Sequence, residues 1–544
     1  MNRTQNLQKL KNEQFDICII GAGASGAGCA LDATLRGFKV ALIDQQDFAS
    51  ETSSRSTKLI HGGVRYLEQA FKKLDFGQLR QVKHGLEERH IVIQNAPYLA
   101  HPLALLTPVF SWIEGMYFTI GLTIYSWFAK NDPLPKSKWL SRKETFEKIP
   151  TLSKKTHSAV MYYDGQLDDA RYCLALAHSA DEAGATVVNH LELIDFEREN
   201  SEKINRALLK DTLTEERFEI KAKLFINCTG PYADTVRLKA NTKLYPRIRP
   251  SKGVHIMLPY NTLNSESAIL IPKTKDGRVV FVIPFEGEVM VGTTDTEYDK
   301  LKEEPILLRQ EVDFLLDTLA PYLDHTPDRN FLKSGFGGLR PLISASKSGN
   351  TKSLLRDHEV EHDPTSNLLS LMGGKWTTYR LMAQDTIDEA CRILNKQSAC
   401  TTSTHLLVGS EGYDFEQWAN LSKQYQIEEN TARHLMRKYG NRAERVLKLI
   451  DEDPIWKQKL VNSQPHIQAE VVYAVREEMA CSLRDILARR TRLELIDWQE
   501  TKKILPLVAD LMQTELSWTN EQKERNIKLY MAQLEDFISR ATVL

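Results

Sequence analysis

Apolar and polar positions alternate in blocks along the chain, and the sharpest block lies near its start. Residues 15–20, FDICII, form a mainly apolar run fit for a buried parallel strand. Gly21, Gly23 and Gly26 follow at once, a helical stretch comes next, and Lys39 to Ile43 reads as a second strand ending in Asp44. Later apolar runs end in small-residue turns: KLFINCTGPYAD (223–234), GTTDTEY (292–298), SGFGGLRPL (334–342) and SLMGGKWTTYR (370–380). The last reads as strand, Gly-Gly turn and helix start. From about residue 405 the period becomes helical. One helix over Glu428 to Tyr439 ends at Gly440, and a second runs on from Asn441 with Ala443, Val446, Leu447 and Ile450 inward. A third, near 468–490, sets Val472, Val475, Met479, Leu483 and Ile486 on one face.

The segment Leu103 to Phe128 is long and apolar enough to reach across a bilayer, with Glu114 its one charge. Pro108, Glu114 and two glycines weaken it as a spanning helix. A hydrophobic hairpin or helix under the active site, a surface that dips into one leaflet, and a true span are the three readings left open.

Length changes the picture first: 544 residues exceed one compact core and call for two or three domains. The 71 basic and 72 acidic residues leave a formal charge of −1, without the basic surplus of a nucleic-acid binder. The seven cysteines (18, 29, 173, 228, 391, 400 and 481) show neither a CxxC pair nor metal-ligand spacing, so no metal site is expected and a reducing compartment fits. The first fifteen residues are polar and carry no secretory h-region.

Strand, GxGxxG, helix, second strand and terminal acid in this order read as a dinucleotide site. Gly21 permits the tight turn, Gly23 lets the backbone approach a pyrophosphate, and Gly26 lets helix and strand pack closely. The helix N-terminus points its amides at the phosphates. Asp44 suits the ribose hydroxyls and would repel a 2′-phosphate. The motif alone leaves NAD and FAD both open. The stretch 47–68, DFASETSSRSTKLIHGGVRYLE, is rich in hydroxyls, glycine and basic groups, as suits a loop around a phosphate-bearing cofactor.

The blocks IGAGASGAGCALDATLRG, TSSRSTKLIHGGVRYLE, GQLDDARYCLALA, NCTGPYAD, SKGVHIMLP, VVFVIPF, VGTTDTEY, GGLRPL, LLRDHEV and GGKWTTYR, spread from about residue 15 to 385, resemble the FAD-dependent glycerol-3-phosphate dehydrogenase family. That resemblance implies an α/β chain: a Rossmann-like FAD-binding domain of the amino-acid-oxidase-like type (12–100, 160–245 and 330–395), a mixed-sheet substrate domain (101–159 and 246–329) and an all-helical C-terminal domain (405–544). It implies FAD as cofactor, with Gly21, Ala22, Gly23, Gly26 and Asp44 on the ADP half. Thr52, Ser53, Lys58, Leu59 and His61 would line the pyrophosphate and isoalloxazine, Gly230 a second contact, and Gly374 with Lys375 the pyrimidine edge. Arg65, Tyr66, Arg340, Arg356 and Lys375 would form the substrate pocket, with His255 nearby and Asp295 orienting one of the basic groups.

The implied reaction is oxidation of sn-glycerol 3-phosphate to dihydroxyacetone phosphate by hydride transfer to flavin N5, with electrons passed to a membrane quinone. An oxidase that gives the electrons to oxygen and releases peroxide is the alternative. Such chemistry needs the phosphate gripped so that C2 sits about 3–3.5 Å from its acceptor. Arginine forks suit that grip, with Arg340 and Arg356 foremost and Arg65 assisting, although an isolated arginine is more often a surface ion pair. His255 is the expected base and His61 its rival; Lys375 would stabilise charge at the flavin N1–C2=O edge. Quinone reduction implies a cytoplasmic enzyme held peripherally at the inner face of the cytoplasmic membrane, and leaves a homodimer open. The LRDILARRTRL segment gathers Arg484, Arg489, Arg490 and Arg492, read either as a solvated basic face or as a contact with anionic headgroups.

Overall fold

The computed structural model describes residues 1–63, 76–128, 134–198, 203–272, 274, 277–344 and 358–543. Two large sheets organise them. In the first, the parallel strands Leu368–Gly373, Arg217–Asn227, Gln14–Ile20, Val40–Ile43 and Thr186–Val188 lie side by side in that order. The antiparallel strand His358–Asp363 closes one edge, and Leu191–Glu197 with Arg206–Asp211 extends the sheet from Arg217–Asn227. Both faces are covered, which is why its central strands read as nearly continuous apolar runs. The helices Ala24–Leu35, Asp169–Glu182 and Tyr379–Ile393 pack on one face through Ala27, Ala30, Leu176 and Ile387, all buried.

The second, mixed sheet contains Ile248–Pro259, Ala268–Ile271, Val280–Phe285 and Glu288–Gly292, joined to Ala100–Val109 and Ser158–Leu167. Ser334–Ile343 pairs along the whole length of Ile248–Pro259, so this segment belongs by hydrogen bonding to the second sheet. The C-terminal helices bury Val471, Leu483, Leu505 and Leu534 against that sheet.

The 103–128 stretch divides in two. Ala100–Val109 is a strand, and Trp112–Phe128 is a helix. The break is encoded by Ser111 and Glu114: Glu114 N–H donates to Ser111 Oγ (3.3 Å), the N-cap bond that starts a helix, and Glu114 Oε2 accepts from Phe110 N–H (2.8 Å). The inner face buries Leu122 and Tyr125, while Ile113 and Trp127 on the outer face are 72% and 77% exposed. Among the described residues no helix is long and apolar enough to cross a membrane.

In the C-terminal part the helix Glu429–Tyr439 ends at Gly440, φ +58°, and Ala443, Val446, Leu447 and Ile450 are buried beyond it. The single helix expected over 468–490 is instead two pieces. Gln468–Glu478 stops at Met479, whose left-handed backbone (φ +54°) ends the hydrogen-bond ladder, and a wider turn runs over Asp485–Arg490. The arginines beyond this break are neither a solvated face nor a headgroup contact. Arg489, Arg490 and Arg492 are buried, and carboxylates far away in sequence meet them. Arg490 donates to both Asp47 oxygens (2.7 and 2.9 Å), Arg489 to Asp47 and Asp485, and Arg492 to Asp169 (3.0 Å). Arg484 pairs with Glu304 and Glu494.

Candidate active site

A cavity of about 510 Å³ opens between the two sheets. Gly21 begins its wall at the end of the first strand with φ +99°, and a Cβ there would lie 2.8 Å from the Cys228 carbonyl. A Cβ on Gly26 would come within 1.8 Å of the Gly21 carbonyl, so the helix closes on the strand only because Gly26 has none. Gly23 and Ser25 present the uncapped start of the Ala24–Leu35 helix to the cavity. Gly26 and Ala22 themselves lie behind the wall. The Ala22 amide donates to Asp44 (2.7 Å), and Gln46 N–H donates to its other oxygen (2.9 Å). Burial nevertheless raises the Asp44 carboxyl to about 6.

The turn at Thr52–Ser54 ties three segments together. Thr52 Oγ1 donates to the Leu339 carbonyl (2.7 Å), Ser53 Oγ accepts from Ala24 N–H (2.9 Å), and the Trp376 indole donates to the Ser53 carbonyl (2.9 Å). Thr52, Ser53, Leu59, His61 and Gly230 all face the cavity, as do Gly374 and Lys375 of the second glycine turn. Gly373 and Gly374 both have positive φ, and a Cβ on Gly374 would meet Met382 at 2.4 Å. His61 is half-buried; desolvation, with Lys375 and Arg89 adding their charges, pushes it down to about 4, so it is neutral near neutrality.

Lys58 does not line this cavity, contrary to the expectation for it. Its positive φ (+59°) turns the side chain inward, where the ammonium meets Asp169 (2.8 Å) and the Ser54 carbonyl (2.9 Å). Burial lowers it to about 8 against the pull of Asp169. Asp169 also accepts from Ser56 N–H and Oγ and from Arg492, so this carboxylate holds the 54–58 loop in place.

His255 and Arg340, from the paired strands Ile248–Pro259 and Ser334–Ile343, also line the cavity. His255 Nε2 lies 3.0 Å from Thr57 Oγ1, and its ring stacks on Phe336 with centroids 4.8 Å apart. Its Nδ1 is buried without a hydrogen-bond partner among the described residues. Burial, then the charges of Lys58 and Arg340, hold the imidazole well below its usual range. Arg340 Nη2 donates to Thr293 Oγ1 (3.2 Å) and the Thr294 carbonyl (3.0 Å), with Asp295 3.6 Å from Nη1. Gly253 makes this possible: a Cβ there would sit 2.5 Å from Arg340 Nη2. Arg65, Tyr66 and Arg356 lie outside the described residues.

Sequence reasoning missed Thr57, Asp169 and Gly253. Their side-chain partners lie 111 or more positions away for Asp169 and 198 for Thr57, so no local spacing marks them; Gly253 stands in the quoted SKGVHIMLP block without an assigned role. Asp47, His190 and Asp485 bring three ligand-type atoms within 4.8 Å, but Arg489 and Arg490 occupy the same carboxylates, which makes the group an ion-pair cluster.

The glycine cradle at a strand–helix junction, the acid Asp44 at the end of the next strand and a second glycine turn lining the same cavity define a dinucleotide-dependent oxidoreductase. The FAD dependent oxidoreductase family matches residues 16–380, and the C-terminal domain of alpha-glycerophosphate oxidase matches residues 400–523. Mitochondrial glycerol-3-phosphate dehydrogenase from Bos taurus is 39% identical over 541 residues, covering 97% of this chain and 74% of the relative. The Arabidopsis thaliana enzyme of that name is 38% identical, covering 97% and 87%. The crystal structure of glycerol-3-phosphate dehydrogenase from Bacillus halodurans complexed with FAD superposes with a TM-score of 0.80 at 29% identity, covering 98% of this chain and 97% of that one. L-alpha-glycerophosphate oxidase from Mycoplasma pneumoniae shares the fold at 17% identity and a TM-score of 0.55 over 72% of this chain. The chain belongs to the FAD-dependent glycerol-3-phosphate dehydrogenase family, and FAD is its cofactor.

Proposed function

We propose that the protein oxidises sn-glycerol 3-phosphate to dihydroxyacetone phosphate and passes the electrons to a membrane quinone. The observation that carries this reading is the composition of one cavity, which Gly21, Gly23 and Asp44 line together with Arg340, Lys375 and His255. FAD held in this cavity would supply the two-electron acceptor for the C2 hydrogen. Arg340 is braced by Thr293, Thr294 and Asp295, so its fork is set before a phosphate arrives. The buried imidazole of His255 is neutral at pH 7 and takes the hydroxyl proton. Lys375 offsets negative charge at the cofactor edge.

The exposed apolar face of the Trp112–Phe128 helix supports the quinone part of the reading. Trp112, Ile113, Met116, Tyr117, Ile120 and Trp127 are all exposed on it. Such a face on a helix too short to span fits peripheral seating in one leaflet at the inner face of the cytoplasmic membrane. The test is anaerobic reduction of the flavin by sn-glycerol 3-phosphate, then reoxidation by a ubiquinone analogue or by oxygen. Fast reoxidation by quinone and slow reoxidation by oxygen is the expected result. Fast reoxidation by oxygen with peroxide release makes the protein an oxidase, and an unbleached flavin overturns the substrate. Flotation with phospholipid vesicles, lost when Ile113 and Trp127 are both changed to Ser, tests the seating separately.

A further inference from the structure

The inner face of the same helix holds a group that the chemistry above does not use. Tyr125 is buried, and its hydroxyl sits between two partners from different elements. It donates to Asp164 Oδ1 (2.9 Å) and accepts from the backbone N–H of Gly62 (2.7 Å). Asp164 lies on the Ser158–Leu167 strand and is itself paired with the buried Arg89. The hydroxyl thus links a carboxylate–guanidinium pair to the main chain at Gly62.

Gly62 follows the short Leu59–Ile60 strand by one residue, and His61, Gly62 and Gly63 all line the cofactor cavity. This segment has little freedom on its far side. A Cβ at Gly62 would come 2.7 Å from Leu86 Cγ and 3.1 Å from the Val82 carbonyl, so the Phe76–Asn95 helix presses directly on it. The preceding amide, of His61, reaches Thr377 Oγ1 at 3.4 Å. Two successive peptide N–H groups of the cavity wall are therefore directed by side chains, a weak one from the second glycine turn and a short one from Tyr125. A backbone wall beside a flavin acts through the direction of its amides and carbonyls, since fixed dipoles set the stability of charge that develops on the ring.

We infer that Tyr125 is a positioning residue of the flavin site: through the Gly62 peptide its hydroxyl fixes the His61–Gly63 wall against the cofactor. The role follows from geometry on three elements and needs no contact between Tyr125 and either FAD or substrate. It rests on the cofactor, and it is independent of which electron acceptor the enzyme uses.

Tyr125→Phe keeps the ring and removes only the hydroxyl, leaving the Gly62 amide unpaired in a buried place. The holoenzyme is compared with wild type for its flavin absorption band, its flavin midpoint potential, and the rate of flavin reduction at saturating substrate in stopped flow. The expected result is a shifted band and potential, with a limiting reduction rate lower by roughly tenfold, as for loss of one net hydrogen bond of about 1.4 kcal/mol. The substrate concentration for half-maximal rate should stay near wild type, because Arg340 and its Thr293 and Thr294 braces are untouched. Ser126→Ala, which removes the next hydroxyl on the same helix, one bonded only to the Leu122 carbonyl, should change none of these readings. Should Tyr125→Phe fail to retain FAD, 3-fluorotyrosine at position 125 keeps the hydroxyl but makes it a stronger donor and weaker acceptor, and the same band and potential should move. A wild-type spectrum, potential and limiting rate in a folded Tyr125→Phe enzyme, or in the fluorotyrosine enzyme, overturns the inference.

Discussion

Changing Asp47 to Asn probes the buried arginine cluster most directly. Asp47 is fully buried and accepts from Arg489, from both terminal nitrogens of Arg490, and from Asn189 (3.1 Å). Burial alone would raise its carboxyl, but the charges of Arg490 and Arg489 outweigh that and hold it below its ordinary value. Asparagine keeps the shape and removes the charge. Arg489 would still have Asp485 at 2.7 Å, whereas Arg490 would keep only the Glu478 carbonyl at 2.9 Å and the Glu478 carboxylate at 3.6 Å. One buried cation loses most of its compensation, so the cost belongs at the lower end of the about 3–5 kcal/mol for breaking a buried pair. About 3 kcal/mol is roughly a 150-fold change in an unfolding equilibrium, and a large part of a total of about 5–15 kcal/mol. Urea unfolding of the holoenzyme, followed by circular dichroism and by flavin fluorescence, measures it at pH 7. Glu389→Gln, at the exposed Arg392 pair, is the control and should change stability by less than about 1 kcal/mol. The pH dependence has a definite sign. A carboxyl depressed in the folded state stabilises above its unfolded pKa of about 4, and that contribution is lost as pH falls further. The gap between wild type and Asp47→Asn should therefore be full at neutrality and shrink only below about pH 4. A variant within 1 kcal/mol of wild type at pH 7 would refute the view that these arginines need a buried partner.

Gly26→Ala should abolish FAD retention, since the new methyl would stand 1.8 Å from the Gly21 carbonyl; a wild-type flavin-to-protein ratio would count against that. Because Asp44 is held near 6, FAD should bind the apoprotein progressively more weakly as pH falls below about 6, by up to about tenfold per unit. Fluorescence titration with Asp44→Asn should show a weaker affinity that no longer changes in this range, and an unchanged pH limb in the variant would remove Asp44 from the ribose. Arg340→Gln should lower kcat/KM for sn-glycerol 3-phosphate by roughly 10–100-fold, the worth of a charge-assisted hydrogen bond of about 1.5–3 kcal/mol. Unchanged steady-state kinetics would place the phosphate elsewhere.

How much of this was legible in the sequence depended on distance along the chain. The Gly21–Gly26 cradle and Asp44 could be read because strand, turn, helix and acid follow within thirty residues and each has a local reason. Gly374, Lys375, His255 and Arg340 came through the family resemblance, and all four line the same cavity. Lys58 was misplaced because its direction is set by Asp169, 111 residues later, and by a positive φ that the residue type does not announce. The arginines of 484–492 looked like a surface patch for the same reason: Asp47, Asp168 and Asp169 are invisible to any window around them. The split of 103–128 was readable in principle. Ser111 and Glu114 stand in S-x-x-E spacing, and Glu114 was weighed only as a charge in an apolar run.

The arginine cluster also bears on the order of events in synthesis. The carboxylate of Asp47 is met by side chains made 442 and 443 positions later, and Asp168 waits for Lys438 and Arg492, whereas Asp169 has Lys58 from the start. A chain emerging from the ribosome completes the Gly21–Gly26 turn early, but it carries two buried-to-be anions, Asp47 and Asp168, whose cationic partners appear only in its last fifth. The 45–58 loop that faces the cofactor is thus completed by the end of the chain, and flavin capture becomes a late event that reports a finished polypeptide. A ribosome-stalled chain ending near residue 400 should bind FAD far more weakly than the full-length protein released from the same ribosomes, and equal retention would remove the dependence.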